Sequence, residues 1–429
     1  MDSYSETLER IYNLRGGMID LRLDRMERAL ALFDHPENKF PSLHIAGTNG
    51  KGSTSAILHR ILSLAGYRTG LYTSPHLVSF TERMRVGDDE IAPDEVVGLA
   101  DEVHQRINEA AVALTFFEFV TVMALVYFAR QKVDVAVVEV GLGGRLDATN
   151  MVSPLVCAIT TISKDHQAYL GPDELAIGAE KGGIIKTAVP VVCGKLSEPV
   201  RALLTRIAQE HDATAYFLGV DFGFSLKNGG IFDYTGIKRH YLNLKLNLRG
   251  RHQRANASVA LAVLELAQSR FPVGERALRD GLETVVWPGR LEIILERPTV
   301  ILDGAHNSEG IQALVDELGE LRRGRKVKLL FATMADKEWE LMLDTLAKTV
   351  DEVVFTRVEM ERSAEPERLA EKLDNAIPRR TMRDSRLGLQ ILLEEAQPDD
   401  LIVVAGSLYL LGEVRPMLQK IAATKTTGV

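Results

Sequence analysis

Cysteine is nearly absent: the 429-residue chain holds two, Cys157 and Cys193, each inside an apolar, strand-like run. That usage argues against a disulfide scaffold or a cysteine metal site and predicts reduced structural thiols in a cytoplasmic protein. Long apolar runs are missing as well. The longest, residues 116–128 and 133–140, are too short or too interrupted for a membrane span. The opening MDSYSETLERIYNLRG is charged and helical in pattern, without the apolar stretch of a signal peptide. Positive charge is not in excess, since 51 Lys and Arg against 59 Asp and Glu leave a net charge of −8. A general nucleic-acid surface is therefore not expected, and anionic ligands must be held by local arginines, lysines and backbone amides. Internal repeats and low-complexity segments are also lacking. The remainder, 46% hydrophobic and 26% charged, is ordinary for a globular protein of two or three domains.

The chain is organised around SLHIAGTNGKGSTSAILHRIL, residues 42–62. Apolar residues 43–46 read as a strand, and Ile57, Leu58, Ile61, Leu62 and Leu64 share one face of a following helix. Between them Gly47, Gly50 and Gly52 lack a β-carbon, so the turn can adopt positive φ. It can then aim successive N–H groups, through Thr48 and Asn49, at an anion beside the positive end of the helix. Lys51 adds a cation for β/γ-phosphates, and Ser53 or Thr54 a hydroxyl for Mg²⁺. The spacing is tighter than the common G-x-x-x-x-G-K-[ST] loop, because only Thr48 and Asn49 separate the first two glycines and Gly52 precedes Ser53. A plain glycine turn between strand and helix is the competing reading.

Further along, a strand over 69–73 ends in SPHLVSFTERMRV, which is either functional loop chemistry or a solvated turn. A helix over 93–110 opens on Pro93-Asp94-Glu95. The helix over 116–130 is apolar nearly all round and so should be buried. Within it Glu118, among Phe116, Phe117 and Phe119, is either a polar-edge acid or a functional one. Residues 133–140 have the β-branched character of a central parallel strand, yet end near Glu139, an acid that is costly there unless paired or metal-bound. Ligands bind at the C-terminal ends of such strands, which puts Glu139 on the same rim as Lys51. The GLGGRL that follows resembles a dinucleotide fingerprint, but Arg145-Leu146-Asp147 opens no amphipathic helix, so a nicotinamide site is rejected. A strand over 155–162 ends in Asp165 and His166, where a histidine is either structural or catalytic. Helices are expected over 173–185, which carries Glu180-Lys181, over 198–212 and over 249–267, with a few antiparallel strands on the sheet's flank in 217–249. Trp287-Pro288-Gly289-Arg290 breaks the pattern. Strands at 300–302, 328–331, 353–355 and 401–405 then alternate with helices, including ones from 338, over 365–373 and over 384–396, and predict a second parallel α/β domain. The expected domains are 1–288 and 289–429.

Nine motifs occur in order: GTNGKGS, SPH, FFE, EVGLGGRLDATN, DH followed by EKGGI, GRHQ-x-x-NA, WPGR, DGAHN and GSLYLLG. Together, over nearly the whole chain, they resemble the folylpolyglutamate synthase/dihydrofolate synthase family of the Mur-ligase superfamily. The resemblance implies an α/β protein with a P-loop-type N-terminal domain on a mostly parallel sheet, a smaller Rossmann-like C-terminal α/β domain, and the active site between them. It implies an ATP-dependent ligase that joins L-glutamate to dihydropteroate or a reduced folate through an acyl phosphate. Lys51, Glu139, His166 and Lys181 are its implied catalytic set. Ser53, Ser74 and Glu139 would hold one Mg²⁺, His166 with Glu139 a second, and Lys181 matches a lysine found carbamylated. Gln253 and Asn256 would contact ATP, Arg290 its phosphates, and Asp303, His306 and Asn307 ATP and glutamate. Arg83, Glu118, Arg145, Asp147 and Ser407 fall on the substrate side. Gly182, where the family often has alanine, and Ser163-Lys164, where Gly-Leu is usual, are departures that remove no ligand-type side chain. The expected partners are small molecules, with no nucleic acid or membrane, and the expected state is a monomer. Two alternatives remain: a Mur-type ligase of cell-wall precursor synthesis, and a non-ligating P-loop nucleotide switch. Glutamate-dependent phosphate release separates the switch from both ligases.

Overall fold

The computed structural model describes residues 3–14, 22–374 and 376–427. The chain divides into two compact units, Met1–Asn247 with Gln253–Val286, and Leu248–His252 with Trp287–Val429. The first helix, Tyr4–Tyr12, realises the opening helical pattern, starting on a capping box between Ser3 and Glu6; residues 15 and 16 of that stretch lie outside the described residues. Where the sequence put the cut at 288/289, the chain changes unit at Val286–Trp287. The short Leu248–His252 segment goes with the second unit, where Arg251 N donates to Glu317 Oε1 at 2.7 Å.

The first unit is built on one eight-stranded sheet. Its strands are β1 (Ser42–Ala46), β2 (Thr69–Tyr72), β3 (Met84–Val86), β4 (Asp89–Glu90), β5 (Val135–Glu139), β6 (Pro154–Ile159), β7 (Val191–Cys193) and β8 (Ala215–Phe217). Their order is β4-β3-β2-β5-β1-β6-β7-β8, parallel except where β3 meets β2 and β4. β1 and β5 are buried at every residue, which explains why they read as unbroken apolar runs rather than alternating ones. The helix Phe116–Arg130 is buried from Glu118 to Phe128, packing Phe119, Val122 and Met123 with Met26, Leu30 and Leu99. Residues 217–249 hold the expected antiparallel strands, with one difference at their start. Phe217 ends β8 inside the main sheet, and β9 (Gly223–Leu226), β10 (Phe232–Thr235) and β11 (His240–Leu244) form a separate antiparallel sheet, with Phe232, Tyr234, Tyr241 and Leu244 buried.

The second unit is a smaller α/β body on a six-stranded sheet. Its strands are β12 (Glu292–Glu296), β13 (Thr299–Leu302), β14 (Val327–Phe331), β15 (Glu352–Phe355), β16 (Arg379–Thr381) and β17 (Leu401–Ala405), ordered β12-β13-β17-β14-β15-β16. Only β12 runs antiparallel to its neighbour. Cys157 and Cys193 are buried and free. Among the described residues no helix is long and apolar enough to cross a membrane.

Candidate active site

β1 lies between β5 and β6, so the loop after β1, the end of β5 and the loop after β6 meet on one rim. The glycine turn needs its glycines. Gly47 has φ 148° and Gly50 φ 86°; a Cβ at Gly47 would stand 1.9 Å from Thr160 Oγ1, and one at Gly50 2.3 Å from Asn256 Oδ1. Residues after β6 clamp the turn. Thr48 N donates to Thr161 O at 2.8 Å, Asn49 N to Thr161 Oγ1 at 3.0 Å, and Thr160 Oγ1 to Asn49 O at 2.5 Å. The helix Lys51–Leu64 begins at Gly50 with no side-chain cap, which leaves its positive end to a ligand.

Two lysines converge on this turn. Lys51 Nζ donates to Gly47 O at 2.8 Å and Thr48 O at 3.1 Å, and Lys181 Nζ, from the helix Glu174–Gly182, donates to Gly47 O at 3.0 Å. Lys181 is only 4% exposed. Burial first, and then the charge of Lys51, push its pKa down to about 7 against the pull of Asp165 and Asp147. Beside them the Ser53 and Thr54 hydroxyls are buried without a hydrogen-bond partner. A buried orphan hydroxyl next to a phosphate cradle is the donor type Mg²⁺ takes together with a carboxylate, waters and substrate phosphates. Glu139 ends β5, and its Oε2 accepts from Ser74 N at 3.3 Å, so Ser74 and Glu139 are brought together. Among the described residues no three His, Cys, Asp or Glu side chains form a ready metal cage. A hydroxyl and a carboxylate are oxygen donors of the kind that suits a Mg²⁺ ion completed by waters and phosphates. His166, at φ 52°, caps the short helix Gln167–Leu170; its Nε2 lies 3.9 Å from Asp165 Oδ1.

The other candidates of the first unit have defined work. Gln253 and Asn256 are buried, with Asn256 Nδ2 donating to Gln253 Oε1 at 3.0 Å against Gly50. Arg145 pairs with Glu180 at 2.8 Å, adjoining Lys181 in the chain. Asp147 accepts from Leu142 N at 2.8 Å and Thr149 N at 3.0 Å, ordering the glycine-rich turn after β5, and burial raises its pKa. Arg83 is 6% exposed, its guanidinium 5.3 Å from the Phe116 ring centroid, so this arginine is not a solvated turn residue, although Val78 in the same loop is exposed. Glu118 is not a polar-edge acid. Its Oε1 accepts from Arg25 Nη2 at 2.6 Å and its Oε2 from Thr115 N at 2.7 Å, which occupies the carboxylate with pairing and with capping its own helix.

In the second unit the ends of adjacent β13 and β17 carry the polar turns. Asp303 accepts from Leu291 N and Ala305 N, both at 2.9 Å; burial raises its pKa, opposed by Arg290. Arg290 Nη1 donates to Gly289 O at 2.9 Å, and a Cβ at Gly304 would meet that nitrogen at 2.2 Å. His306 Nδ1 is 2.8 Å from Gly304 O, Asn307 caps the helix Ser308–Arg322, and Ser407 Oγ accepts from Tyr409 N at 3.2 Å. Sequence reasoning missed Thr160, Thr161, Arg25 and His76. Of these the two threonines, adjoining a strand end, and His76, inside the SPH motif, gave a local signal, and Arg25 gave none.

A phosphate cradle at the end of a central parallel strand, a lysine pair, a rim carboxylate and a second α/β unit define an ATP-dependent ligase of the Mur type. Residues 45–264 match the Mur ligase middle domain, and residues 289–408 the Mur ligase glutamate ligase domain. The chain is 32% identical to the dihydrofolate synthase/folylpolyglutamate synthase of Bacillus subtilis, over 92% of this chain and 95% of that one. It is 34% identical to the Escherichia coli protein of the same name, over 96% and 94%. The structure of E. coli FolC in complex with DHPP and ADP superposes with a TM-score of 0.90 at 32% identity, covering 99% of both chains. A bifunctional folylpolyglutamate synthase/dihydrofolate synthase with Mn, AMPPNP and L-glutamate bound gives 0.88 at 33% identity, over 97% of this chain and 98% of that one. The chain belongs to the dihydrofolate synthase/folylpolyglutamate synthase family and is an ATP-dependent glutamate ligase.

Proposed function

We propose that the turn from Gly47 to Thr54 binds ATP, and that the γ-phosphoryl group passes to the carboxylate of dihydropteroate or a reduced folate. A carboxylate oxygen attacks the γ-phosphorus and the P–O bond to ADP breaks. The amino nitrogen of L-glutamate then attacks the acyl carbon and loses a proton, and the C–O bond breaks to release phosphate. The observation that carries this reading is the convergence of Lys51 and Lys181 on Gly47 O beside the orphan Ser53 hydroxyl. Relatives described with DHPP and ADP, and with AMPPNP, Mn and L-glutamate, support it.

Ser53, Ser74 and Glu139 would hold one Mg²⁺, and Glu139 with His166 a second. Bound divalent ions neutralise charge on the transferring phosphoryl group. Lys51 holds the phosphates through its ammonium, and Gln253 and Asn256 keep the wall of the turn in place. Lys181, largely neutral above its lowered pKa, is carbamylated in the active protein: the neutral amine nitrogen bonds to the carbon of CO₂ and releases one proton to water, which leaves a carbamate anion. Arg83, Arg145 and Asp147 serve the acceptor side, with Glu118 contributing through the helix that it caps. Asp303, His306, Asn307 and Arg290 serve nucleotide and glutamate, and Ser407 glutamate. The protein acts as a monomer, and its two free buried thiols suit a reducing cytoplasm.

Acceptor labelled with ¹⁸O in its carboxylate tests the sequence of bonds. An acyl phosphate carries one labelled oxygen into inorganic phosphate. Unlabelled phosphate would sink the proposal.

A further inference from the structure

The loop from Ser74 to Arg83 is built to be rigid although its composition is polar. Leu77, Val78 and Ser79 donate their amides to the Glu82 carboxylate at 2.7, 2.9 and 2.8 Å, and Ser79 with Glu82 forms a capping box on the turn Phe80–Arg83. One end of the loop is tied to Glu139 through Ser74 N, the other to Thr73 N through Arg83 O at 3.1 Å. Inside it Arg83 Nε donates to His76 Nδ1 at 2.8 Å. The Arg83 guanidinium lies 5.8 Å from the Phe80 ring centroid and 5.3 Å from that of Phe116, and the His76 ring is 6.2 Å from Phe80.

An imidazole that accepts on Nδ1 carries its proton on Nε2 and is neutral. A neutral acceptor fixes a guanidinium without cancelling its charge, whereas a carboxylate in its place would compete with an anionic ligand. An arginine side chain has many rotamers, and restricting Nε leaves fewer to lose when a ligand binds.

We propose that His76 is a positioning residue for the acceptor substrate, acting through Nδ1 on the guanidinium of Arg83. The inference rests on Arg83 serving the acceptor side. Asparagine offers an oxygen near the place of Nδ1, phenylalanine keeps the ring without an acceptor, and methionine keeps the arginine stem without charge. Steady-state kinetics of H76N, H76F, R83M and H76F/R83M, each checked for a native melting transition, test it.

R83M and H76F are each expected to raise the acceptor KM about tenfold or more, the scale of a hydrogen bond to a charged group. KM for ATP and for glutamate stays within about twofold, and H76N recovers most of the loss. Because both residues act through one guanidinium, H76F adds about nothing in the R83M background. An unchanged acceptor KM in H76F, an H76N as poor as H76F, or independent multiplication of the two effects overturns the proposal. An R83M that leaves the acceptor KM unchanged overturns the placement of Arg83 itself, and the role of His76 with it.

Discussion

Lys51 Nζ and Lys181 Nζ donate to one oxygen, the carbonyl of Gly47, at 2.8 and 3.0 Å. Two ammonium groups on one acceptor disfavour each other's charge, and the more buried lysine yields: Lys181 falls from 10.5 to about 7, by burial first and by Lys51 second.

This shift sets a pH dependence. The folded-state pKa of Lys181 lies below the unfolded one, so between about 7 and 10.5 the unfolded chain binds the extra proton, and stability from this group rises with pH. Below that window both states are protonated and the penalty is complete. In bicarbonate-free buffer Lys181→Met should melt higher than the parent. The gap should be widest below the window and close toward its upper end. A gap independent of pH in thermal melts would show that Lys181 is not the group responsible.

Carbamylation predicts a ¹³C carbonyl signal from labelled bicarbonate in the parent, lost in Lys181→Ala. That variant should be slow and regain part of its rate with short carboxylates that enter the vacated space. A bare amine in fully active protein contradicts the assignment.

Lys51→Ala and Glu139→Ala should each lower turnover about a hundredfold or more, the scale of removing one preorganised electrostatic group, with the fold retained. Circular dichroism checks the fold and phosphate release the rate. Unfolding in either variant, or unchanged turnover, removes the claim that these groups act on the reaction.

Glu118 behaves differently. Breaking its buried pair with Arg25 leaves an uncompensated charge, so Arg25→Met should lower unfolding free energy by about 3–5 kcal/mol. Denaturant melts measure the loss. Stability equal to the parent's would mean that the pair does not hold this helix.

The parts of this protein that its sequence discloses are local ones. Strand, glycine turn and helix from Ser42 to Leu64 follow one another directly, and β17 at Leu401–Ala405 is an unbroken apolar run. The clamp on the phosphate turn is not local: Thr160 and Thr161 reach Thr48 and Asn49 because β6 pairs beside β1, with Ala46 opposite Ile159. Arg25 and Glu118 lie 93 residues apart, and nothing near Glu118 announces its partner. β16, an edge strand of Arg379, Arg380 and Thr381, has no apolar alternation to read. Arg83 looks like a solvated turn residue, because the rings that cover it come from Phe80 nearby and from Phe116 on another element.

The central claim is that this chain uses ATP to join L-glutamate to a pteroyl carboxylate. The direct measurement is phosphate release with ATP and Mg²⁺, comparing dihydropteroate with tetrahydrofolate as acceptor, each with and without L-glutamate. Mass spectrometry of the acceptor accompanies it. The account predicts release that requires acceptor and glutamate together, with a product heavier by one glutamyl residue for at least one acceptor. ATP hydrolysis indifferent to glutamate, with both acceptors unchanged in mass, would contradict it.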